Sequence, residues 1–117
     1  MIESVRFGQI TIDGKTYDHD VIIDMEGNVE KRKKKLSKKI YGTSHVVSVD
    51  EVKYFLNENA ESLIIGAGQQ GILTLSPEAR EYLQNLKIRV QIAPTPQAIL
   101  LFNEAKEKKI GLFHVTC

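Results

Sequence analysis

The sequence is poor in residues that cross-link or stiffen a small protein: it has one cysteine, three prolines and no tryptophan in 117 residues. The single thiol, Cys117, excludes an intramolecular disulfide and favours a reducing compartment. The longest apolar run covers only residues 63–68, far short of the roughly 20 residues of a membrane-spanning helix. The first residues also lack the apolar core of a signal peptide. We therefore expect a cytoplasmic protein without a membrane span.

The chain as a whole has almost no net charge, but one segment has a large excess of positive charge. The formal net charge is +1, from 16 Lys and Arg against 15 Asp and Glu. Seven of the cations lie within residues 31–39, which contain no acid, so the remainder carries a net charge of −6. Dense like charge is usually solvated, which predicts a loop or the outer face of a ribbon. This basic segment contains Lys31, Arg32, Lys33, Lys34, Lys35, Lys38 and Lys39.

The distribution of apolar residues predicts an α/β fold. The first third alternates apolar and polar residues around a tight turn at Asp13-Gly14, which is typical of a β-hairpin. After residue 47 the chain alternates short apolar strands with helical stretches, which implies parallel crossovers. The length fits one domain, residues 1–117. We predict a single compact domain with a β-rich N-terminal layer packed beside a mixed sheet flanked by about three helices.

The start of each predicted helix carries a recognisable signal. Ser48 and Glu51 have the Ser-x-x-Glu spacing of a capping box. Ser76-Pro77 places a cap residue before a proline in the first turn. Thr95 precedes Pro96 in the same way, so we predict that its hydroxyl caps the third helix, with Gly111 ending that helix.

Residues 66–71 read Gly-Ala-Gly-Gln-Gln-Gly, a G-x-G-x-x-G directly after a predicted strand. In a dinucleotide-binding fold such glycines let the backbone approach a pyrophosphate at a helix N-terminus. Here residues 72–75 are strand-like, and no acid stands about 20 residues further on. We therefore predict a tight turn without a nucleotide cofactor and keep a small anion bound by the loop amides as an alternative.

The groups that could do chemistry are few. His45, His114 and Cys117 offer nitrogen and sulfur, but their spacing is not that of a zinc knuckle or a helical histidine pair. A cysteine near a chain end is difficult to hold in attack geometry. No Gly-x-Ser-x-Gly elbow is present. We therefore assign no metal, no cofactor and no catalytic residues.

Four fragments resemble a known family when they are taken together: residues 42–45, Gly-Thr-Ser-His; residues 65–68, Ile-Gly-Ala-Gly; residues 95–98, Thr-Pro-Gln-Ala; and residues 111–117, Gly-Leu-Phe-His-Val-Thr-Cys. In this order they resemble a small domain-of-unknown-function family typified by archaeal hypothetical proteins. That family also contains the adipogenesis-associated domain protein and a mitochondrial complex I assembly factor. The resemblance covers essentially the whole chain.

The resemblance implies a compact α/β domain and no established enzymatic activity, since members with a role act as assembly or signalling partners. It offers a candidate ligand or partner surface formed by His45, Gly66, Gly68, Thr95, His114 and Cys117. We predict a non-catalytic binding or assembly module with a protein partner. The alternatives are nucleic-acid binding through the basic segment, near which Tyr41 is the only aromatic residue, and a small anionic ligand at the Gly66–Gly71 loop.

Overall fold

A five-stranded mixed sheet forms the centre of the fold in the computed structural model, which describes residues 1–117. Its strands lie in the spatial order β5 (Val29–Lys31), β4 (Val21–Ile23), β10 (Lys109–His114), β7 (Ser62–Ala67) and β9 (Arg89–Ala93). Strand β7 pairs in parallel with both β10 and β9, whereas β4 is antiparallel to β10 and to β5. Parallel neighbours require crossover connections, and these contain the helices.

Two smaller sheets accompany the central one. Strands β1 (Ile2–Arg6), β2 (Gln9–Ile12) and β3 (Lys15–Tyr17) form an antiparallel meander, with the predicted Asp13-Gly14 turn joining β2 to β3. Strands β6 (Val46–Val47) and β8 (Thr74–Leu75) form a short parallel pair. The predicted strand over residues 72–75 is thus reduced to its last two residues.

Four helices complete the domain: α1 (Lys35–Tyr41), α2 (Val49–Phe55), α3 (Pro77–Asn85) and α4 (Thr95–Glu104). The last three are the predicted ones, and α1 is an additional helix within the basic segment. None of the four has the length and hydropathy needed to cross a bilayer.

The side chains of β7 alternate between two cores, one on each face of the central sheet. Leu63 and Ile65 enter a core shared with α2 and α3. Ile64 points to the other face, where it joins α4 and the N-terminal meander. The molecule therefore has three layers, and the β-rich N-terminal layer beside a helix-flanked mixed sheet is confirmed.

Gly111 corrects one prediction. It lies inside β10, and α4 already ends at Glu104. A Cβ atom at Gly111 would lie 2.9 Å from Cε1 of Phe102 and 2.5 Å from Cε2 of Phe113. These two rings pack edge to face with centroids 5.4 Å apart, so the glycine makes room for a contact between α4 and the sheet rather than ending a helix.

Candidate functional site

The carboxyl ends of three parallel strands bring together the segments that follow them. The register pairs Gly66 of β7 with Phe113 of β10 and with Ala93 of β9. As a result the loop after β7, the start of α4 and the segment 115–117 meet at one edge of the sheet, the edge where α/β proteins commonly place their sites.

Thr95 connects these three segments and is not the helix cap that its position predicts. Its hydroxyl accepts a hydrogen bond from the amide of Gly68 at 2.8 Å and donates one to the carbonyl of His114 at 2.7 Å. The residue at the cap position of α4 is Pro94, with no side-chain cap bond. Thr95 is fully buried, and buried backbone groups need hydrogen-bond partners. Its hydroxyl therefore bonds to backbone groups of other segments and does not cap its own helix.

The two glycines of this edge are required by close approach. A Cβ atom at Gly66 would lie 2.8 Å from Cδ1 of Phe113 and 2.9 Å from Oγ1 of Thr95. At Gly68 it would overlap the backbone carbonyl of Cys117, and the φ angle there is +91°. Gly66 thus lets Phe113 and Thr95 pack against β7, and Gly68 lets segment 115–117 pack against the loop.

The loop amides are already satisfied within the chain. Besides the Gly68 amide, the Gln69 amide donates to the carbonyl of Thr116 at 2.8 Å and the Gln70 amide to that of Cys117 at 3.3 Å. The amide of Gly71 closes the turn on the Gly68 carbonyl at 3.2 Å. The tight turn is therefore confirmed, and the alternative of an anion held by these amides is wrong.

His114 lies at the centre of the assembled residues. Its ring packs edge to face with that of His45, with centroids 5.4 Å apart. Nδ1 of His114 lies 2.8 Å from Oδ2 of Asp20, and Nε2 lies 3.2 Å from Oγ1 of Thr116. Because an ionised carboxylate can only accept, Nδ1 is the donor of this pair, and in the neutral ring Nε2 can accept from the threonine. The structure therefore brings together His45, Gly66, Gly68, Thr95, His114 and Cys117.

Arg32 departs from the prediction of a solvated basic segment. Its guanidinium is fully buried and donates to Glu51 at 2.6 and 3.1 Å, to Asp20 at 2.9 Å and to the carbonyl of Ser44 at 2.7 Å. A planar group with five donors suits several acceptors at once. Arg32 is thus a structural ion-pair residue and does not belong to the surface.

The predicted capping box at α2 forms only in part. The Ser48 hydroxyl accepts from the Glu51 amide at 3.1 Å, as predicted. The Glu51 carboxylate, however, binds Arg32 and the Ser37 hydroxyl, and Ser37 takes its place as acceptor for the Ser48 amide at 2.8 Å. The buried guanidinium is the stronger partner for the Glu51 carboxylate, since it carries the opposite charge and donates two hydrogen bonds, whereas an amide is neutral and donates one.

This buried network determines the protonation of Asp20 and Arg32. Burial raises the pKa of Asp20, but the hydrogen bond and charge of His114, the amide of Val115 and the charge of Arg32 outweigh it and lower the pKa to about 2. Burial lowers the pKa of Arg32, and the carboxylates of Glu51 and Asp20 more than restore it, so the net direction is upward. Both groups are therefore charged at neutral pH.

The other six cations of the basic segment are exposed. We call them the lysine surface; they lie at the end of β5, in the following turn and on α1, and none has an acid within 4.0 Å. They are Lys31, Lys33, Lys34, Lys35, Lys38 and Lys39. The predicted ribbon is thus a strand end followed by a two-turn helix, and all of its cations except Arg32 are exposed to solvent.

A polar cavity of about 190 Å³ lies between the lysine surface and His114. Val115 is its only hydrophobic lining residue. The others are Asp18, His19, Asp20, Lys31, Arg32, Lys34, His114 and Thr116. No group of three or more His, Cys, Asp or Glu side chains is placed to hold a metal ion.

Sequence reasoning missed Asp20, Glu51 and Ser37 as members of this region. Asp20 lies 94 residues from its partner His114, so no local spacing could link them. The one available signal is that Arg32 is the only arginine among six lysines, since a guanidinium is the cation that pairs with several buried acceptors.

Comparison with known proteins gives matches over the whole chain. The chain is 39% identical to the conserved hypothetical protein PH1505 from Pyrococcus horikoshii OT3, covering 100% of this chain and 99% of that one, with a TM-score of 0.94. It is 35% identical to a protein named MT938, covering 100% and 98%, with a TM-score of 0.84. XCC1710 from Xanthomonas campestris shares the fold at 11% identity, covering 98% and 83%, with a TM-score of 0.78.

A family model described as "Protein of unknown function (DUF498/DUF598)" matches residues 2–112. That range is nearly the whole chain and contains Arg32, Asp20 and Glu51 of the buried network, as well as the Gly66–Gly71 loop and Thr95. It ends before His114 and segment 115–117 of the sheet edge. The two relatives that share more than a third of its residues are equally complete matches. The chain belongs to the DUF498/DUF598 family of proteins of unknown function.

Proposed function

We propose that this protein is a non-catalytic cytoplasmic binding module that docks an acidic segment of a protein partner on the lysine surface. The observation that carries the proposal is the set of six exposed lysines within nine residues, none paired with an acid of its own chain. Cations left unpaired on a folded element attract a partner of opposite charge and accelerate its association.

The side chains around the lysines favour a protein over a nucleic acid. Arginine is the residue that most often reads a guanine edge, and Arg32, the only arginine of the segment, is buried. Ile40 is 49% exposed at the end of α1 and offers an apolar contact that a polyphosphate chain would not use. Tyr41 beside it is the one aromatic ring for stacking, and its hydroxyl lies 3.3 Å from Glu78.

A binding role is also supported by how the polar groups at the sheet edge are used. Thr95 and the Gly68 amide bond to each other, and the Asp20 carboxylate is shared by Arg32, His114 and the Val115 amide. These groups hold the chain together. The six lysines of the lysine surface, in contrast, are exposed and form no ion pair, so they stay available to a partner.

The test uses a fluorescein-labelled peptide rich in Glu and Leu, and a fluorescein-labelled single-stranded oligonucleotide, each titrated at about 50 and about 200 mM salt. We expect the peptide to bind at the lower salt and to weaken at the higher one. A variant with four lysines of the surface changed to Gln should bind about 30-fold more weakly, because four exposed ion pairs of about 0.5 kcal/mol each total about 2 kcal/mol. Its substitutions are Lys33→Gln, Lys35→Gln, Lys38→Gln and Lys39→Gln.

A control variant loses the same charge elsewhere, through Lys15→Gln, Lys53→Gln, Lys106→Gln and Lys108→Gln. It should bind the peptide as the natural sequence does. Equal loss in both variants would contradict the proposal, because the lysine surface would then have no special role. Binding of the oligonucleotide in preference to the peptide would replace the proposal with the nucleic-acid alternative.

A further inference from the structure

We propose that the polar cavity beside His114 binds a phosphoryl group, carried by a phosphorylated residue of the acidic partner. The identity of the partner rests on the proposed function, whereas the phosphoryl site itself rests on the cavity. The site does not use the amides of the Gly66–Gly71 loop, which are occupied, and it opens next to the lysine surface through Lys31 and Lys34.

The size of the cavity fits a small group. Its volume of about 190 Å³ is below the roughly 300 Å³ at which pockets for whole organic ligands begin. A phosphoryl group with a few water molecules fills such a space, since one water occupies about 30 Å³. A nucleotide would leave its base and sugar outside.

The lining supplies the donors that an oxyanion requires. Lys31 and Lys34 are exposed cations at the rim. The Thr116 hydroxyl lies deeper, 3.2 Å from Nε2 of His114, and can turn from this acceptor to donate to the oxyanion. Lysine ammonium and hydroxyl groups are common phosphate partners, and bonds to a charged acceptor are about twice as strong as neutral ones.

The inner wall of the cavity is held in a fixed position. His114 and Asp20 are more than nine-tenths buried, and the Arg32 guanidinium donates a hydrogen bond to the Asp20 carboxylate at 2.9 Å. The Val115 amide binds the other oxygen of the same carboxylate at 2.9 Å. A ligand therefore meets a preorganised wall and does not have to order it on binding.

Charge near the cavity does not oppose an anion. Three carboxylates lie in or beside the lining, those of Asp18, Asp20 and Glu51. Their formal charge is balanced by the three cations of the lining, which are Lys31, Arg32 and Lys34. Glu51 and Asp20 are tied to the buried guanidinium, so Asp18 is the one acid of the lining without an ion pair. Lys31 and Lys34 balance the remaining negative charge without an acid within 4.0 Å, so their ammonium donors stay free for an incoming phosphoryl group.

The first experiment follows the ring signals of His114 and His19 by nuclear magnetic resonance during titration with inorganic phosphate. Sodium chloride at matched ionic strength is the reference. We expect a saturable shift with phosphate only. The double variant K31Q/K34Q should weaken phosphate binding at least tenfold, which corresponds to the loss of about 1.4 kcal/mol, whereas the matched variant K38Q/K39Q should bind as the natural sequence does.

Thr116→Val gives a second readout with no change in charge. We expect it to weaken phosphate binding, because the hydroxyl donor is replaced by a methyl group of the same shape. A shift that chloride reproduces, or equal weakening in K31Q/K34Q and K38Q/K39Q, would overturn the phosphoryl site.

The source of the phosphoryl group is tested with an acidic peptide containing one phosphoserine, the same peptide without phosphate, and free phosphoserine. We expect the phosphopeptide to bind more tightly than either. Changing Lys33, Lys35, Lys38 and Lys39 to Gln should weaken the peptide but leave the inorganic phosphate shift intact. If that shift survives and the phosphate adds nothing to peptide binding, the cavity takes free phosphate and the partner assignment is wrong.

Discussion

Arg32 divides the basic segment between the interior and the surface of the molecule. Its neighbours on both sides are exposed lysines, while its own guanidinium reaches Glu51, Asp20 and the backbone of Ser44. Arg32 thereby connects the end of β5 to α2 through Glu51, and to the residue before β4, Asp20. The lysine surface is presented in a fixed position because this one residue points inward.

Replacing Arg32 should therefore destabilise the protein far more than replacing an adjacent lysine. Arg32→Ala leaves two buried carboxylates without their cation, and breaking a buried pair in this way costs about 3–5 kcal/mol. Lys33→Ala removes an exposed charge and should change the free energy of unfolding by less than about 0.5 kcal/mol. Urea unfolding measures both values.

Arg32→Lys covers the case in which the alanine variant does not fold. A lysine keeps the charge but cannot reach both carboxylates and the Ser44 carbonyl from one planar group. We expect an intermediate loss. Equal stability of Arg32→Lys and the natural sequence would show that the network contributes charge alone.

The low pKa of Asp20 predicts how stability depends on pH. The pKa is lowered from 3.8 to about 2 in the folded protein, so the ionised form stabilises the fold above about pH 4, and this stabilisation is lost as the pH falls towards 2. The shift corresponds to about 2 kcal/mol. Between about pH 5 and pH 2 the free energy of unfolding should fall by about this much more for the natural sequence than for Asp20→Asn.

We expect Asp20→Asn to be less stable at neutral pH, so the comparison uses the change across the pH range and not the absolute value. Titration of the Asp20 carboxyl carbon by nuclear magnetic resonance gives an independent value. An equal fall in both proteins, or a midpoint near 4, would contradict the assignment of a charged Asp20 to the network.

At the scale of elements, the sequence predicts those whose signals are local. Helix α3 begins at Pro77, directly after Ser76, and the Ser76 hydroxyl accepts from the Ala79 amide at 3.1 Å as its position predicts. Strand β7 follows from a short apolar run that ends at glycine. Such elements are fixed by residues a few positions apart, so pattern and capping suffice to find them.

Helix α1 was not predicted, because the contacts that stabilise its start come from elsewhere in the chain, although Gly42, with a φ angle of 72°, is a local signal for its end. Its cap position, Lys34, makes no side-chain cap bond, and a run of lysines has no apolar periodicity. Its one fully buried residue, Ser37, bonds to Ser48 and to the Glu51 carboxylate. The helix thus depends on α2, which begins eight residues after α1 ends.

The candidate site was predictable as a set of residues but not as an arrangement. The fragments containing His45, Gly68 and His114 can be selected from the sequence by resemblance. Their meeting depends on the parallel register of β7 with β10, and Asp20 arrives from a third strand end. The same long-range contacts turned Thr95 from a predicted helix cap into a link between segments.

The junction between the β7 loop and segment 115–117 should fail when Gly68 gains a side chain. Gly68→Ala places a methyl group against the Cys117 backbone in addition to the strain of a positive φ angle. Gly27→Ala is the matched control, since Gly27 has φ +86° with nothing within 4 Å of the added carbon. The control should cost about 1–2 kcal/mol, the usual penalty for a left-handed residue with a side chain.

We expect Gly68→Ala to cost clearly more than the control in urea unfolding. It should also accelerate hydrogen exchange at the amides of Gln69 and Gln70, whose acceptors lie in the displaced segment. An equal loss of unfolding free energy in the two variants would mean that segment 115–117 moves aside freely. The close packing at this edge would then not contribute to stability.

At the scale of the whole molecule, charge is segregated rather than balanced. The six lysines of the lysine surface lie on one side, and the remaining chain has 10 cations against 15 acids, a formal charge of −5. The molecule measures 34 × 31 × 21 Å. At about 10 mM ionic strength the screening length is about 30 Å. The electrostatic potential of each face therefore extends over a distance similar to the width of a neighbouring molecule.

This segregation predicts a weak self-attraction that salt removes. Light scattering should give an attractive second virial coefficient at about 10 mM salt and a loss of that attraction at about 150 mM, where the screening length is about 8 Å. The two quadruple lysine variants described above both change the formal charge from +1 to −3. They differ only in where the four charges are removed.

Net charge alone would make both variants equally repulsive at low salt. If segregation is the cause, the variant at Lys33, Lys35, Lys38 and Lys39 becomes repulsive, because it loses most of the basic face. The variant at Lys15, Lys53, Lys106 and Lys108 keeps that face against a more acidic remainder and should stay the more attractive of the two. Identical virial coefficients would show that the lysine surface does not act as a distinct face at the distances over which a partner is first attracted.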